Sequence, residues 1–88
     1  MKSLFLTGIK KPDLLTSALT QVLPAQGPTW LLLSAAGDPI AYFSVVPGEE
    51  ALEVQADISG RHYHEDDAVT AVLMKIAAVV GGSIRKDE

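Results

Sequence analysis

The sequence predicts an α+β fold, a two-layer sandwich in which two helices cover one face of a mixed, mostly antiparallel sheet. Two observations lead to this prediction. Apolar residues recur at helical spacing in residues 12–23 and again in residues 68–80. Short apolar runs bounded by turn residues occupy most of the remaining chain, as strands do. The predicted order is β-α-β-β-β-α, with a final strand if residues 83–88 pair with the sheet.

The first strand and the first helix are predicted from the N-terminal quarter of the chain. Residues 4–9 are apolar and precede a cluster of strand-breaking residues, which indicates a buried strand. Pro12 suits the first turn of a helix, where its missing N–H costs nothing. The apolar stripe of this helix comprises Leu14, Leu15, Ala18, Leu19, Val22 and Leu23. Pro24 ends the helix because it cannot continue the helical hydrogen bonding.

Three strands joined by tight turns are predicted next. Residues 29–34 are apolar on both faces, and residues 39–46 form the returning strand of a hairpin. Gly37, between them, can adopt the positive φ that tight turns require. Residues 52–58 alternate strictly between apolar and polar side chains, which predicts a strand with one buried face and one solvated face.

The second helix is predicted to begin with an acidic first turn at residues 65–67 and to carry its apolar stripe over residues 68–80. Gly81 and Gly82 mark its C-terminal end. Residues 83–88 are interpreted as either a short edge strand or a frayed tail. The arrangement loosely resembles a ferredoxin-like fold with an extra strand, a similarity of architecture that implies no function.

Composition limits the classes of protein that this chain can belong to. Its 88 residues are 48% hydrophobic and 20% charged, which is typical of a globular protein, and residues 1–88 are expected to form a single domain. The absence of cysteine excludes disulfides, thiolate metal sites and thiol nucleophiles, and fits a reducing compartment. The apolar stretch at 68–80 is shorter than the ~20 residues that span a bilayer. We therefore expect a cytoplasmic protein with no membrane partner.

The charge pattern argues against nucleic acid as a partner. Eleven acidic and seven basic residues give a net charge of −4. Nucleic-acid binding requires clustered Lys and Arg, whereas the basic residues here are scattered along the chain.

The face of the sheet opposite the helices is predicted to be an interface. If Ala41 and Phe43 point towards the helices, alternation places Ile40 and Tyr42 on the other face. The same reasoning places Trp30 and Leu32 there. The candidate partner-binding residues are Trp30, Leu32, Ile40 and Tyr42, with Phe5 beside them. A continuous apolar area of this kind indicates a protein partner or a homodimer. The alternative is that sheet twist or a terminal segment covers the patch.

That prediction has a direct consequence for Trp30. A charged residue in its place is expected to disperse the oligomer while the fold survives. An unfolded product would instead assign Trp30 to the core.

Residues 61–67 contain both histidines and lie at the junction of a strand and a helix. The candidate ligand-binding residues are Arg61, His62, His64 and Asp66. Imidazole and carboxylate groups bind divalent metals, but the spacing does not match structural zinc sites, and no metal or cofactor is expected. The competing interpretation is that the acidic residues stabilise the helix start while the histidines are solvated.

Catalysis is not expected, because the chain has neither a nucleophile-elbow motif nor a phosphate-binding loop. A chain of this size also rarely forms a deep pocket by itself. The sequence therefore predicts a small non-enzymatic protein, an interaction or regulatory module that self-associates through its sheet face. The alternative is a small-ligand or divalent-metal-binding protein that uses residues 61–67.

Overall fold

The computed structural model describes residues 2–48 and 51–87, apart from the side chains of Arg61, Tyr63 and Asp87. Six strands and two α-helices follow one another in the order β-α-β-β-β-β-α-β. They are β1 (Lys2–Thr7), α1 (Leu15–Val22), β2 (Ala25–Gln26), β3 (Thr29–Leu33), β4 (Pro39–Pro47), β5 (Leu52–Ile58), α2 (Asp66–Val80) and β6 (Ser83–Asp87). Short 3-10 helices, Pro12–Leu14 and Gly60–Glu65, lead into α1 and α2.

The strands form one sheet in the order β2-β3-β4-β5-β1-β6, and each neighbouring pair is antiparallel. The predicted α+β class is confirmed, but the sheet is antiparallel rather than mixed in the described part of the chain. The two-residue strand β2 was not among the predicted strands. Residues 83–87 form the edge strand β6, which pairs with β1, so the interpretation as a frayed tail is wrong for these residues.

The hydrophobic core lies between one face of the sheet and both helices. Its fully buried side chains come from the central strands β1, β4 and β5 and from both helices. The largest of them are Phe43, Leu4, Leu6, Leu15, Leu19, Ile58, Leu73 and Ile76. Because α1 and α2 also contact each other, they form one layer on one side of the sheet. Neither helix is both long and apolar enough to cross a membrane, as judged from the described residues.

The strand register determines which side chains share the buried face. Leu4 pairs with Ala56, Ala56 with Phe43, and Phe43 with Trp30. Cross-strand partners point to the same side of a sheet. These four residues therefore form one row that runs from β1 to β3 beneath the helices.

Candidate functional site

The sheet face opposite the helices carries a second row of cross-strand partners. Leu31 pairs with Tyr42, Tyr42 with Asp57, and Asp57 with Ser3. None of these four residues is buried, whereas each residue of the row beneath the helices is. We call this side the uncovered face.

The uncovered face has an apolar corner formed by Leu31, Leu33, Pro39 and Tyr42. Leu33 follows Leu31 at the two-residue strand period and pairs with Pro39, so all four share this side. Tyr42 is 45% exposed and Leu33 is 43% exposed. Since each of these side chains is less than half exposed, a partner could gain the remaining part of their hydrophobic free energy by burying them.

Trp30 and Leu32 do not lie on the uncovered face, and the sequence-based placement of both is wrong. Trp30 pairs with Phe43 and Leu32 with Ala41, which are both fully buried beneath the helices. The error arose because β3 is apolar on both sides, so its pattern contains no polar residue that marks the solvated face. Leu31 and Leu33 are the β3 residues that face outward.

Ile40 is also misplaced by the sequence pattern, because β4 contains a β-bulge. The β3–β4 register shifts so that Leu32 pairs with Ala41 and Leu33 pairs with Pro39, which leaves Ile40 as the extra residue. Ile40 is only 5% exposed and belongs to the core. Strict alternation fails where one residue is added to a strand. Of the four predicted anchors, only Tyr42 lies on the uncovered face.

A polar band adjoins the apolar corner. Ser3 Oγ donates to Asp57 Oδ1 at 2.7 Å, and Gln55 Nε2 donates to the same oxygen at 2.9 Å. Next to this band, the Arg85 guanidinium lies 4.6 Å from the centre of the Phe5 ring. The prediction of Phe5 on this face agrees with its pairing to Gln55 and Arg85.

Arg85 was not predicted as part of this face, because its placement follows from the pairing of β6 with β1. A depression of about 610 Å³ lies near the turn after β4 and is lined by Thr7, Pro47, Gly48, Glu53 and Arg85. It adds one basic and one acidic side chain to the surface beside the polar band.

The described candidate side chains at residues 61–67 have different neighbours. His62 Nδ1 contacts Glu65 Oε2, while the exposed His64 ring is centred 6.4 Å from that of His62. The Arg61 side chain lies outside the described residues. Within the described part of the chain, no group of three or more His, Cys, Asp or Glu could hold a metal ion.

Asp66 participates in a different interaction, which links the start of α2 to the sheet. Its Oδ2 lies 3.0 Å from Lys2 Nζ and 4.0 Å from Lys86 Nζ. The hydrogen bond from Lys2 holds the pKa of the Asp66 carboxyl below its ordinary value of 3.8, and the positive charges of Lys2 and Lys86 act in the same direction. Asp66 therefore fixes the helix start against β1 and β6.

No family model matches the chain, and no curated protein or solved structure matches it either. The uncovered face places four apolar side chains in one corner, whereas residues His62 and Asp66 engage separate partners. The uncovered face is therefore the stronger candidate site.

Proposed function

We propose that this protein is a non-enzymatic interaction module that self-associates through the uncovered face of its sheet. The observation that supports this proposal is the apolar corner, where Tyr42 and Leu33 are exposed on a face that neither helix covers. We also propose a cytoplasmic location, because the chain has no cysteine and is suited to a reducing compartment.

The dimensions of the uncovered face can be compared with those of a stable interface. Six strands at ~4.8 Å spacing extend over about 24 Å, and the nine residues of β4 extend over about 30 Å. These lengths agree with the 34 and 26 Å extents of the molecule along its two longer axes. Because the other strands are shorter than β4, the face is smaller than this outline and lies below the ~800 Å² per partner that is buried in complexes of standard size.

A second copy of the chain is the partner that we propose for this face. In a twofold dimer the same patch is used by both subunits. Since β4 is the third of six strands, a twofold axis near Tyr42 would let most of the two faces overlap. The two apolar corners would then cover each other. The Tyr42 ring provides apolar area together with a hydroxyl, a combination that is common among interface anchors.

The proposal is tested by measuring mass with light scattering over a hundredfold range in the micromolar regime. The wild-type chain is expected to have twice its 9.3 kDa monomer mass. Tyr42→Asp is expected to be a folded monomer, because a charge cannot be buried in the apolar corner without a partner. Ser17→Asp, at an exposed position of α1, is the matched control and should remain dimeric.

Two results would contradict the proposal. One is a wild-type chain that remains a monomer throughout this range. The other is a Tyr42→Asp variant that keeps the dimer mass. Circular dichroism of each variant verifies that a change in mass does not come from unfolding.

A further inference from the structure

Helix α2 is apolar on its outward side as well as on its buried side. Its buried residues are Val69, Val72, Leu73, Ile76 and Val80. Its exposed residues from position 71 onward are Ala71, Met74, Lys75, Ala78 and Val79, of which only Lys75 is polar. Met74 is 61% exposed and Val79 is 45% exposed. A helix that is apolar all round is normally covered on all sides.

Helix α1 provides an internal comparison. Its exposed residues Thr16, Ser17, Thr20 and Gln21 are all polar, as expected for a helix that faces water. The outward apolar surface is therefore specific to α2. We call Ala71, Met74, Ala78 and Val79 the outer stripe. Ala71, Met74 and Ala78 share one side of the helix at spacings of three and four residues. Lys75 lies between Ala71 and Val79 at spacings of four, so the stripe contains one charged residue. Leu14, in the 3-10 helix that contacts α2, is 41% exposed and adds to the apolar area nearby.

The charges at the two ends of the outer stripe are opposite. Asp67 is exposed in the first turn of α2. At the other end, the backbone N–H groups of Lys10 and Lys11 donate to the Val80 carbonyl at 2.9 and 3.0 Å. A Cβ built on Gly81 would lie 3.3 Å from Lys10 Cβ, so this lysine packs against the end of the helix. Both lysines are exposed.

The opposite charges at the two ends of the outer stripe indicate which partner fits it. When a second α2 lies antiparallel, the Asp67 end of each helix lies beside the end of the other that contacts Lys10 and Lys11. A single twofold axis creates this contact twice. A parallel arrangement would instead place Asp67 beside Asp67 and the lysines beside each other. The charges therefore favour an antiparallel second copy.

We propose that the outer stripe is a second self-association surface, at which two copies meet through antiparallel α2 helices. Met74 lies near the twofold axis, because it is midway between Ala71 and Ala78. The small side chains of those two alanines face each other across the contact and permit close approach of the helices. Lys75, beside the axis, extends its ammonium to solvent while its aliphatic stem covers apolar surface.

This surface is independent of the proposed sheet-face dimer, since it lies on the opposite layer of the molecule. It is also smaller. The 15 residues of α2 extend over about 22 Å, and a helix is about 10 Å wide, so the contact is well below ~800 Å² per partner. We therefore expect it to be weak and to form at higher concentration than the sheet-face dimer.

The test uses Tyr42→Asp as the background, so that the sheet face does not contribute. Sedimentation equilibrium at up to millimolar concentration is expected to show this variant moving from 9.3 kDa towards twice that mass. Adding Met74→Asp is expected to weaken this association at least tenfold. Adding Ser17→Asp on α1 instead is expected to leave it unchanged.

A charge-reversal experiment tests the antiparallel orientation. In the Tyr42→Asp background, Asp67→Lys is expected to weaken association, because it places like charges together. Adding Lys10→Asp and Lys11→Asp to Asp67→Lys is expected to restore it. No recovery would overturn the proposed orientation, and a Tyr42→Asp chain that stays monomeric at millimolar concentration would overturn the second surface.

The two proposals fail in different ways. If Met74→Asp dissociates the wild-type dimer while Tyr42→Asp does not, the sheet-face proposal fails and the α2 surface is supported. If Tyr42→Asp dissociates it completely at every concentration, the sheet face is supported and the α2 surface fails.

Discussion

The indole Nε1–H of Trp30 donates a hydrogen bond to Thr20 Oγ1 at 3.2 Å, and this bond joins β3 to α1. Trp30 is 8% exposed, so its ring belongs to the core while its only polar group is paired at the core's edge. Tryptophan is a residue type that often anchors interfaces, but Trp30 instead attaches α1 to the sheet.

Replacing Trp30 is expected to affect stability before it affects association. Trp30→Ala should lower the free energy of unfolding by about 3–5 kcal/mol, because it removes a large buried ring and leaves a cavity. Thr20→Val removes only the hydrogen bond and should cost about 1 kcal/mol. Urea unfolding measures both changes. If the Trp30→Ala variant stayed stable but no longer associated, Trp30 would belong to the interface instead of the core.

Because of the β-bulge, substitutions at two positions of β4 are expected to have unequal effects on the free energy of unfolding. Ile40→Ala should lower the free energy of unfolding by about 2–5 kcal/mol, because Ile40 is buried. Tyr42→Ala should change the stability of the monomer by less than about 1 kcal/mol, because the ring is exposed. Urea unfolding of the two variants at protein concentrations below those at which the sheet-face dimer forms avoids contributions from association. Equal losses would contradict the assignment of these residues to different environments.

Gly82 is expected to resist replacement because of its backbone. Its φ is 110°, and a Cβ at this position would lie 2.5 Å from the Thr7 carbonyl oxygen. Gly82→Ala should therefore lower the free energy of unfolding by about 1–3 kcal/mol. Gly60→Ala is the control, because no atom lies within 4 Å of the added Cβ and φ is not positive. Thermal unfolding that shows the two variants to be equally stable would contradict this account.

Asp66 predicts a specific dependence of stability on pH. Since Lys2 lowers the pKa of Asp66 in the folded state, the ionised carboxylate stabilises the fold above pH 3.8. That contribution is lost as the pH falls through the lower folded pKa. Asp66→Asn should thus be less stable than wild type at neutral pH, and the difference should shrink in acid. Urea unfolding across this range measures it.

Asp67→Asn is the matched control, because Asp67 occupies the same first turn of α2 and is exposed. Its effect on stability at neutral pH is expected to be smaller than that of Asp66→Asn. If the two variants lose the same stability, the contact with Lys2 does not contribute, and the general preference of helix starts for acidic residues explains both.

The candidate site could be predicted only in part. The sequence pattern places Tyr42 on the uncovered face with Phe5 beside the patch, and the strand register agrees. The remaining members of the apolar corner, Leu31, Leu33 and Pro39, were not among the predicted anchors. Their side depends on the register of β3 against β4, which a strand apolar on both faces does not reveal.

By itself, the sequence determined the local elements and the fold class. The helical stripe that begins at Leu15 and the strict alternation of residues 52–58 depend on neighbours within a few positions, so periodicity is sufficient to detect them, although it wrongly included the exposed Leu14 in the stripe. The absence of cysteine likewise excluded whole classes of chemistry without any structure.

Only the tertiary structure decided which apolar residues became core and which became surface. Trp30 and Ile40 are buried because of a cross-strand register and a bulge, and Asp66 is held by Lys2, which lies 64 residues away. These contacts join segments that are distant in the sequence. Strand pairing and side-chain packing decide between arrangements that the local sequence pattern does not distinguish. The tertiary structure therefore also determines which surfaces are exposed.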